Sequence, residues 1–415
     1  MSRISRREIF AGGAGAALAA AAQAASGQVP PAAAERQDFG AVGDGVADDT
    51  DAVERAFAAA LAGRRASFVS LSPGRYRVTR TIRIRTAPRP DGNITHPSGI
   101  AGAGATIVSA IADGSPVIAI ECAATLRYFR LDGLKIKGSG REGNGLSVSC
   151  EKRGAYFYNF CLRDLVIEGC GGDGLRLVGN VFEGQIFNSY LRDNGRNGAT
   201  FSHGAEDTVL SAVHVFGCVF GGNGRNGADL VGGAADVGFH GCYFLLNKRF
   251  GLSAETGCTL LSHCGFENNH MAAADFERGD AGLRLMVFGT LIGCTSYSIH
   301  KQTHLVRAFV TDRLVMIGCR GQGGGQARRA RLAKLDGKAP SAVSVIGCRG
   351  GIDATHRVAV SALGTPGQDR RFGGLWNSPD LARLGEYSLW VDGKGRLRMT
   401  RGAPRSDEDG KVVGR

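Results

Sequence analysis

Proline is scarce in this chain, 11 residues against 64 glycines among 415, and the glycines show no period of three. The first fact points to many tight or positive-φ backbone positions, as stacked short strands joined by turns require. The second excludes a collagen-type helix. Beyond the N-terminus no continuous apolar run reaches about 18 residues, so no membrane-spanning helix is expected. None of the 11 cysteines forms a CxxC pair, so neither a metal site nor a cofactor is implied. Charge of one sign is short: 50 Lys and Arg against 38 Asp and Glu leave a formal +12. These cations are scattered and lack the aromatic or helical context of a nucleic-acid surface, so nucleic acid is not an expected partner. The same positive field suits an acidic polymer of another kind, such as a uronic-acid polysaccharide.

Residues 1–25 read as an address rather than as part of the fold. Ser5-Arg6-Arg7-Glu8-Ile9-Phe10 precedes an Ala/Gly-rich apolar run from Ala11 to Ala22, followed by Ala22-Gln23-Ala24 as a small-residue cleavage signal. This order resembles a twin-arginine signal peptide, which implies the twin-arginine (Tat) export machinery as a partner and an exported location, periplasmic or extracellular. Residues 26–36 form a Pro/Ala linker.

The chain then becomes informative. Asp38-Phe39-Gly40-Ala41-Val42-Gly43-Asp44-Gly45-Val46-Ala47-Asp48-Asp49-Thr50-Asp51-Ala52-Val53 leads into an Ala-rich stretch ending near Leu61. Thr50 or Asp51 is placed to cap a helix, and Val53, Phe57 and Leu61 recur every fourth position. Alternating strands follow, Phe68 to Val78 around Pro73-Gly74 and then Thr81 to Ile84. This opening segment, residues 37–90, resembles the start of the pectate-lyase superfamily domain shared by rhamnogalacturonase-like and tailspike-like proteins. The resemblance implies an all-β fold, a right-handed three-sided parallel β-helix with a short N-terminal capping helix, and a carbohydrate theme. The polygalacturonase-type contiguous acidic motifs are missing, so it does not fix the reaction.

Downstream a repeat is legible without the resemblance. Ile186-Phe187-Asn188-Ser189-Tyr190-Leu191, Val215-Phe216-Gly217-Cys218-Val219-Phe220, Phe239-His240-Gly241-Cys242-Tyr243-Phe244 and Leu261-Ser262-His263-Cys264-Gly265-Phe266 align on a turn residue, and Cys294, Cys319 and Cys348 continue the series. One such interval is a coil of a three-sided solenoid. Each unit reads as two short strands joined by a sharp turn at Asn, Gly or His. Cys218, Cys242, Cys264, Cys294, Cys319 and Cys348 share one repeat position and are expected to stack as buried thiols rather than pair as disulfides. Asn194, Asn223, Asn247 and Asn269 fall five residues after the anchor and are expected to form a structural amide ladder.

A third strand follows in each coil: Gly198 to Ser202, Gly227 to Val231, Gly251 to Glu255 and Ala273 to Glu277. Period-two alternation turns Ala, Leu and Phe inward and leaves Asp229, Glu255, Asp275 and Glu277 on one outward strip. With rungs about 4.8 Å apart, Glu255 and Glu277 are expected to be neighbours, a setting that splits carboxylate pKa values and suits a general acid beside a base. Arg196, Arg225, Lys248, Arg249 and His270 lie in the preceding turns as candidate substrate contacts. His203, Glu206 and Asp207 fall in a longer loop that is the second place to look.

The β-helix is expected over residues 37–365 and a C-terminal capping region over 366–415, with a hairpin between Leu389 and Met399. Three functions fit: a glycoside hydrolase using two of the four carboxylates, a polysaccharide lyase using the nearby Lys, Arg or His groups, or a non-catalytic polysaccharide-binding protein. The expected partner in each case is a polysaccharide, and self-association into a homo-oligomer is compatible with all three.

Overall fold

Three short strands per coil, each covering one side of a triangular cross-section, build this protein. The computed structural model describes residues 39–62, 67–86, 97–255, 259–269, 281–285, 289–298, 304–310, 313–323, 331–337, 341–354, 358–363, 382–384, 387–391, 397–401 and 409–412. Successive coils pair in parallel to give three long sheets. The first runs from Asp44–Asp48 to Arg320–Gly323, the second from Ile82–Thr86 to Gly351–Ala354, and the third from Ser67–Ser70 to Val358–Leu363. This is the expected three-sided parallel β-helix. The signal and linker expected in residues 1–36 lie outside the described residues.

A helix, Thr50–Ala62, lies against the first strands of the stack and buries Val53, Ala56, Phe57, Ala60 and Leu61. Its start differs by a residue from the sequence expectation. The Asp49 carbonyl accepts the first helical bond, from Val53 N at 3.0 Å, and the Asp48 carboxylate accepts the Thr50 N–H at 3.1 Å. The Asp49 side chain faces the other way and binds the N–H groups of Val42 and Gly43 at 2.7 and 3.1 Å. Asp48 thus satisfies a backbone donor at the helix start, and Asp49 ties the preceding loop to it.

Inside, like stacks on like. Phe220, Phe244 and Phe266 form a column with ring centroids 4.9 Å apart and planes tilted by 7°, and Phe239 meets Phe220 and Phe244 edge-on. Truncating one such ring to Ala costs about 3–5 kcal/mol. The cysteine column forms as expected: every described cysteine is a free thiol. Cys242 donates to Val215 O at 3.4 Å and Cys264 to Phe239 O at 3.3 Å, each one coil back. The residue before each anchor adopts the left-handed conformation, including the non-glycine His263 at φ 53°.

One strand of the expected register is corrected. The strand paired with Leu252–Ala254 is Ala281–Leu285, with Ser253 opposite Arg284, so the segment Ala273 to Glu277 does not supply that rung. Toward the C-terminus, Tyr387–Val391 and Leu397–Arg401 pair antiparallel as the expected hairpin, within a four-stranded sheet completed by Ala382–Leu384 and Lys411–Val412. Among the described residues no helix is long and apolar enough to cross a membrane.

Candidate functional site

The outward positions of the second sheet form a straight column. Arg176, Thr200, Asp229, Ser253, Arg284, Arg307 and Lys334 are successive partners across the rungs. Asp229 is the one carboxylate in this set, with hydroxyls on both sides and cations beyond them. Outward does not mean open here: Thr200 and Ser253 are buried and Asp229 is largely so. Asn197 Nδ2 donates to Thr200 Oγ1 at 3.0 Å and lies 3.5 Å from Asp229 Oδ2. Burial pushes the Asp229 carboxyl up to about 6, helped by the charges of Glu255 and Asp173, while the Ser253 hydroxyl and Asn226 amide act in the opposite direction. Near neutral pH this carboxyl can therefore carry a proton.

Glu255 continues the strand after Ala254, anchored by its N–H to Leu230 O at 3.0 Å. It is the diagonal neighbour of Asp229, roughly 8 Å away between Cα atoms at ordinary strand spacing. Its side chain is 47% exposed, with Oε1 3.8 Å from Arg284 Nη1. Glu255 is thus exposed beside a cation while Asp229 is largely buried, so the two acids differ in environment.

The turns that precede these strands hold two ladders. The amide ladder expected from sequence is present: Asn194 Nδ2 to Asn223 Oδ1 at 3.2 Å, then Asn223 to Asn247 and Asn247 to Asn269 at 2.9 Å each. A second ladder lies nearer the site. Asn144 Oδ1 accepts Asp173 N at 2.9 Å, Asp173 Oδ1 accepts Asn197 N at 3.0 Å, Asn197 Oδ1 accepts Asn226 N at 3.0 Å, and Asn226 Oδ1 accepts Phe250 N at 3.2 Å. Asp173 is fully buried, and its Oδ2 accepts no hydrogen bond. Arg176 Nη1 stands 3.7 Å from Oδ2, and Arg196 Nε stands 3.7 Å from Oδ1.

Beside this ladder Arg196, Arg225 and Arg249 stack along one edge, because each backbone N–H binds a carbonyl one coil back: Arg196 to Gly172 at 3.0 Å, Arg225 to Arg196 at 2.8 Å and Arg249 to Arg225 at 2.9 Å. Lys248 sits next to them and is exposed. The candidates Asp229, Glu255, Arg196, Arg225, Lys248 and Arg249 are thus brought to one face and one edge. His203, Glu206 and Asp207 are at the opposite edge, after Ala199–Ser202, where His203 Nδ1 closes its own turn on Ala205 O at 2.9 Å. Asp275, Glu277 and His270 lie outside the described residues, and the rung expected for the two acids is filled by Arg284 and its neighbours.

Sequence reasoning missed Asp173 and Arg176. A signal was there: Asn144-Gly145-Leu146, Asp173-Gly174-Leu175, Asn197-Gly198-Ala199 and Asn226-Gly227-Ala228 share a pattern, and one of the four carries a charge where the ladder needs only a side-chain oxygen.

Residues 36–119 match the family model for rhamnogalacturonase A/epimerase, pectate lyase-like domains. That match covers the first coils of the parallel β-helix. A second match, to the capsule depolymerase family, covers residues 357–415 of this β-helix protein. Among solved structures, ORF18 of Geobacillus virus E2 is similar with TM-score 0.57 and 19% identity, over 91% of this chain and 74% of that one. The A-module of the Azotobacter vinelandii mannuronan C-5 epimerase AlgE4 gives TM-score 0.54 and 18% identity, over 82% and 98%. Full-length tailspike protein 2 of the Escherichia coli O157:H7 bacteriophage CAB120 gives 0.56 and 12%, over 85% and 52%. At these identities the likeness is one of fold. No curated protein sequence matches the β-helix chain.

Proposed function

We propose that this protein is an exported polysaccharide-cleaving enzyme, a glycoside hydrolase whose substrate lies along the second sheet across Asp229. The observation that carries the reading is the unlike pair of carboxyls: Asp229, buried and pushed up to about 6, beside the exposed Glu255 next to Arg284. Asp229 is the general acid that protonates the leaving oxygen, and Glu255 is the base that activates a water. Their diagonal placement sets the Cα atoms roughly 8 Å apart, and inversion requires carboxyl groups about 6.5–9.5 Å apart so that a water fits between them. The matches to capsule depolymerase and pectate-lyase-like families, and the name of the mannuronan epimerase neighbour, favour a polysaccharide over other polymers.

A lyase is the second reading, favoured by one observation: the stacked Arg196, Arg225 and Arg249 edge could neutralise a uronate carboxylate while a neighbouring base removes the adjacent proton. Product chemistry separates the two. The full chain is incubated with acidic and neutral polysaccharides, and new reducing ends and ultraviolet absorbance are followed together. Reducing ends without absorbance, lost in Asp229→Asn and in Glu255→Gln, support the hydrolase. Absorbing unsaturated ends overturn it in favour of the lyase, and binding with neither product marks a non-catalytic protein.

A further inference from the structure

Asp173 is a carboxylate where the fold asks only for an amide. Its ladder neighbours Asn144, Asn197 and Asn226 perform the same backbone task with a neutral oxygen. A fully buried carboxylate costs more than an amide in that position, so its charge needs a purpose that the ladder does not supply. Two guanidiniums from different coils flank that charge, Arg176 Nη1 at 3.7 Å from one oxygen and Arg196 Nε at 3.7 Å from the other. Arg176 comes from the outward column of the second sheet and Arg196 from the turn edge. Without an anion between them, two such cations would repel; with Asp173 buried behind them, the group keeps one net positive charge. The arginine side chains are 36% and 51% exposed, so their outer N–H groups face solvent.

We infer that Arg176 and Arg196, held together by the buried Asp173, form an anion subsite that grips a carboxylate of an acidic polysaccharide two rungs from Asp229. This rests on reading the second sheet as the polysaccharide site. Two planar guanidiniums offer a carboxylate several charge-assisted donors in fixed positions, which a mobile lysine does not. Asp173 is a positioning residue, since it touches the arginines and not the substrate. Two rungs are roughly 10 Å along the axis, so the gripped sugar is not the one cleaved, and the subsite sets binding rather than the chemical step.

The test is affinity electrophoresis of the full chain at physiological salt in polygalacturonate, alginate and hyaluronan, each beside its carboxyl-reduced form. The expected result is retardation by at least one acidic polymer and about tenfold weaker retardation by its reduced partner. Arg176→Gln with Arg196→Gln should abolish that preference. Asp173→Asn, which keeps the ladder, should weaken it about threefold to tenfold, because the arginines lose their anchor. Lys137→Gln with Arg320→Gln removes the same charge from the exposed first sheet and should leave the preference intact. No retardation by any acidic polymer, equal retardation by both members of each pair, or equal loss in the first-sheet control overturns the subsite. Asp229→Asn separates this from the proposed activity: if it still cleaves while the arginine variants lose their preference, the acid assignment fails and the subsite stands.

Discussion

Asn223 Nδ2 donates to Asn247 Oδ1 at 2.9 Å, and that same oxygen accepts the Asn223 backbone N–H at 3.1 Å. One side-chain oxygen thus ties two donors of the previous coil, in a buried turn. Replacing Asn247 by Ala should destabilise by about 2–4 kcal/mol, because the Asn223 backbone N–H and one hydrogen of its amide would be left buried without an acceptor, the other still bonding Leu191 O at 3.0 Å. Urea unfolding measures this. A change below about 0.5 kcal/mol would show that water takes over the ladder.

Asp229 carries a pH dependence of definite sign. Its folded carboxyl is raised from 3.8 to about 6, so the folded state holds the proton more tightly than the unfolded state. Stability from this group is present below pH 3.8 and is lost as pH rises through 6. Asp229→Asn should therefore stabilise by about 1–3 kcal/mol at pH 7–8, with the gain vanishing near pH 4. In cleavage assays the wild type should lose activity as pH rises above 6, and Asp229→Asn should be slower by roughly a hundredfold or more. A variant both more active and less stable at pH 8 would contradict the acid role.

Glu142 should act with the opposite sign. Burial raises its pKa, but the Ser139 hydroxyl and the backbone N–H groups of Ser139 and Gly140 outweigh that and hold the carboxyl below its ordinary value. Gly171 N, from the next coil, also donates to it at 3.2 Å. The stability it contributes is present above its unfolded value of 4.5 and is lost as pH falls through the lower folded value. Glu142→Gln should cost about 1–2 kcal/mol at pH 7 and less at pH 3, read from the thermal midpoint at the two pH values.

The thiol column predicts that titration of the denatured, unreduced protein finds the ladder cysteines free. Cys242→Ser should destabilise by about 1–3 kcal/mol. The shorter C–O bond carries the hydroxyl away from Val215 O, which the thiol reaches at 3.4 Å. Equal stability would mean that the hydroxyl finds a partner by shifting the turn.

Much of the architecture was legible because a solenoid writes each coil in nearly the same letters. The turn before Cys218, Cys242 and Cys264, the stacked thiols and the Asn194 to Asn269 ladder all follow from one alignment. Register failed where the alignment had two solutions. Ala274 and Phe276 imitate the alternation of Leu252 and Ala254, and so do Leu283 and Leu285; a period of two cannot rank them, and the backbone pairing chooses the second. Asp229 and Glu255 became candidates because the period-two alternation leaves them on the outward side of the strand. Asp173 was not, because an acid in a glycine-rich turn has a ready local explanation as a turn former, and only its neighbours one coil away reveal that it stands in for Asn.

The helix Thr50–Ala62 gives the stack a direction. A coil touches only the coils beside it, and the first coil's far side is occupied by Val53, Phe57 and Leu61. Lengthening or shortening at that end would have to rebuild the lid, the Asp48 and Asp49 caps and the first strands together. Coils added or removed beyond the Asp229 region disturb one junction only. A coil gained or lost there leaves Asp229, Arg176 and Arg196 at an unchanged distance from the end that the helix covers.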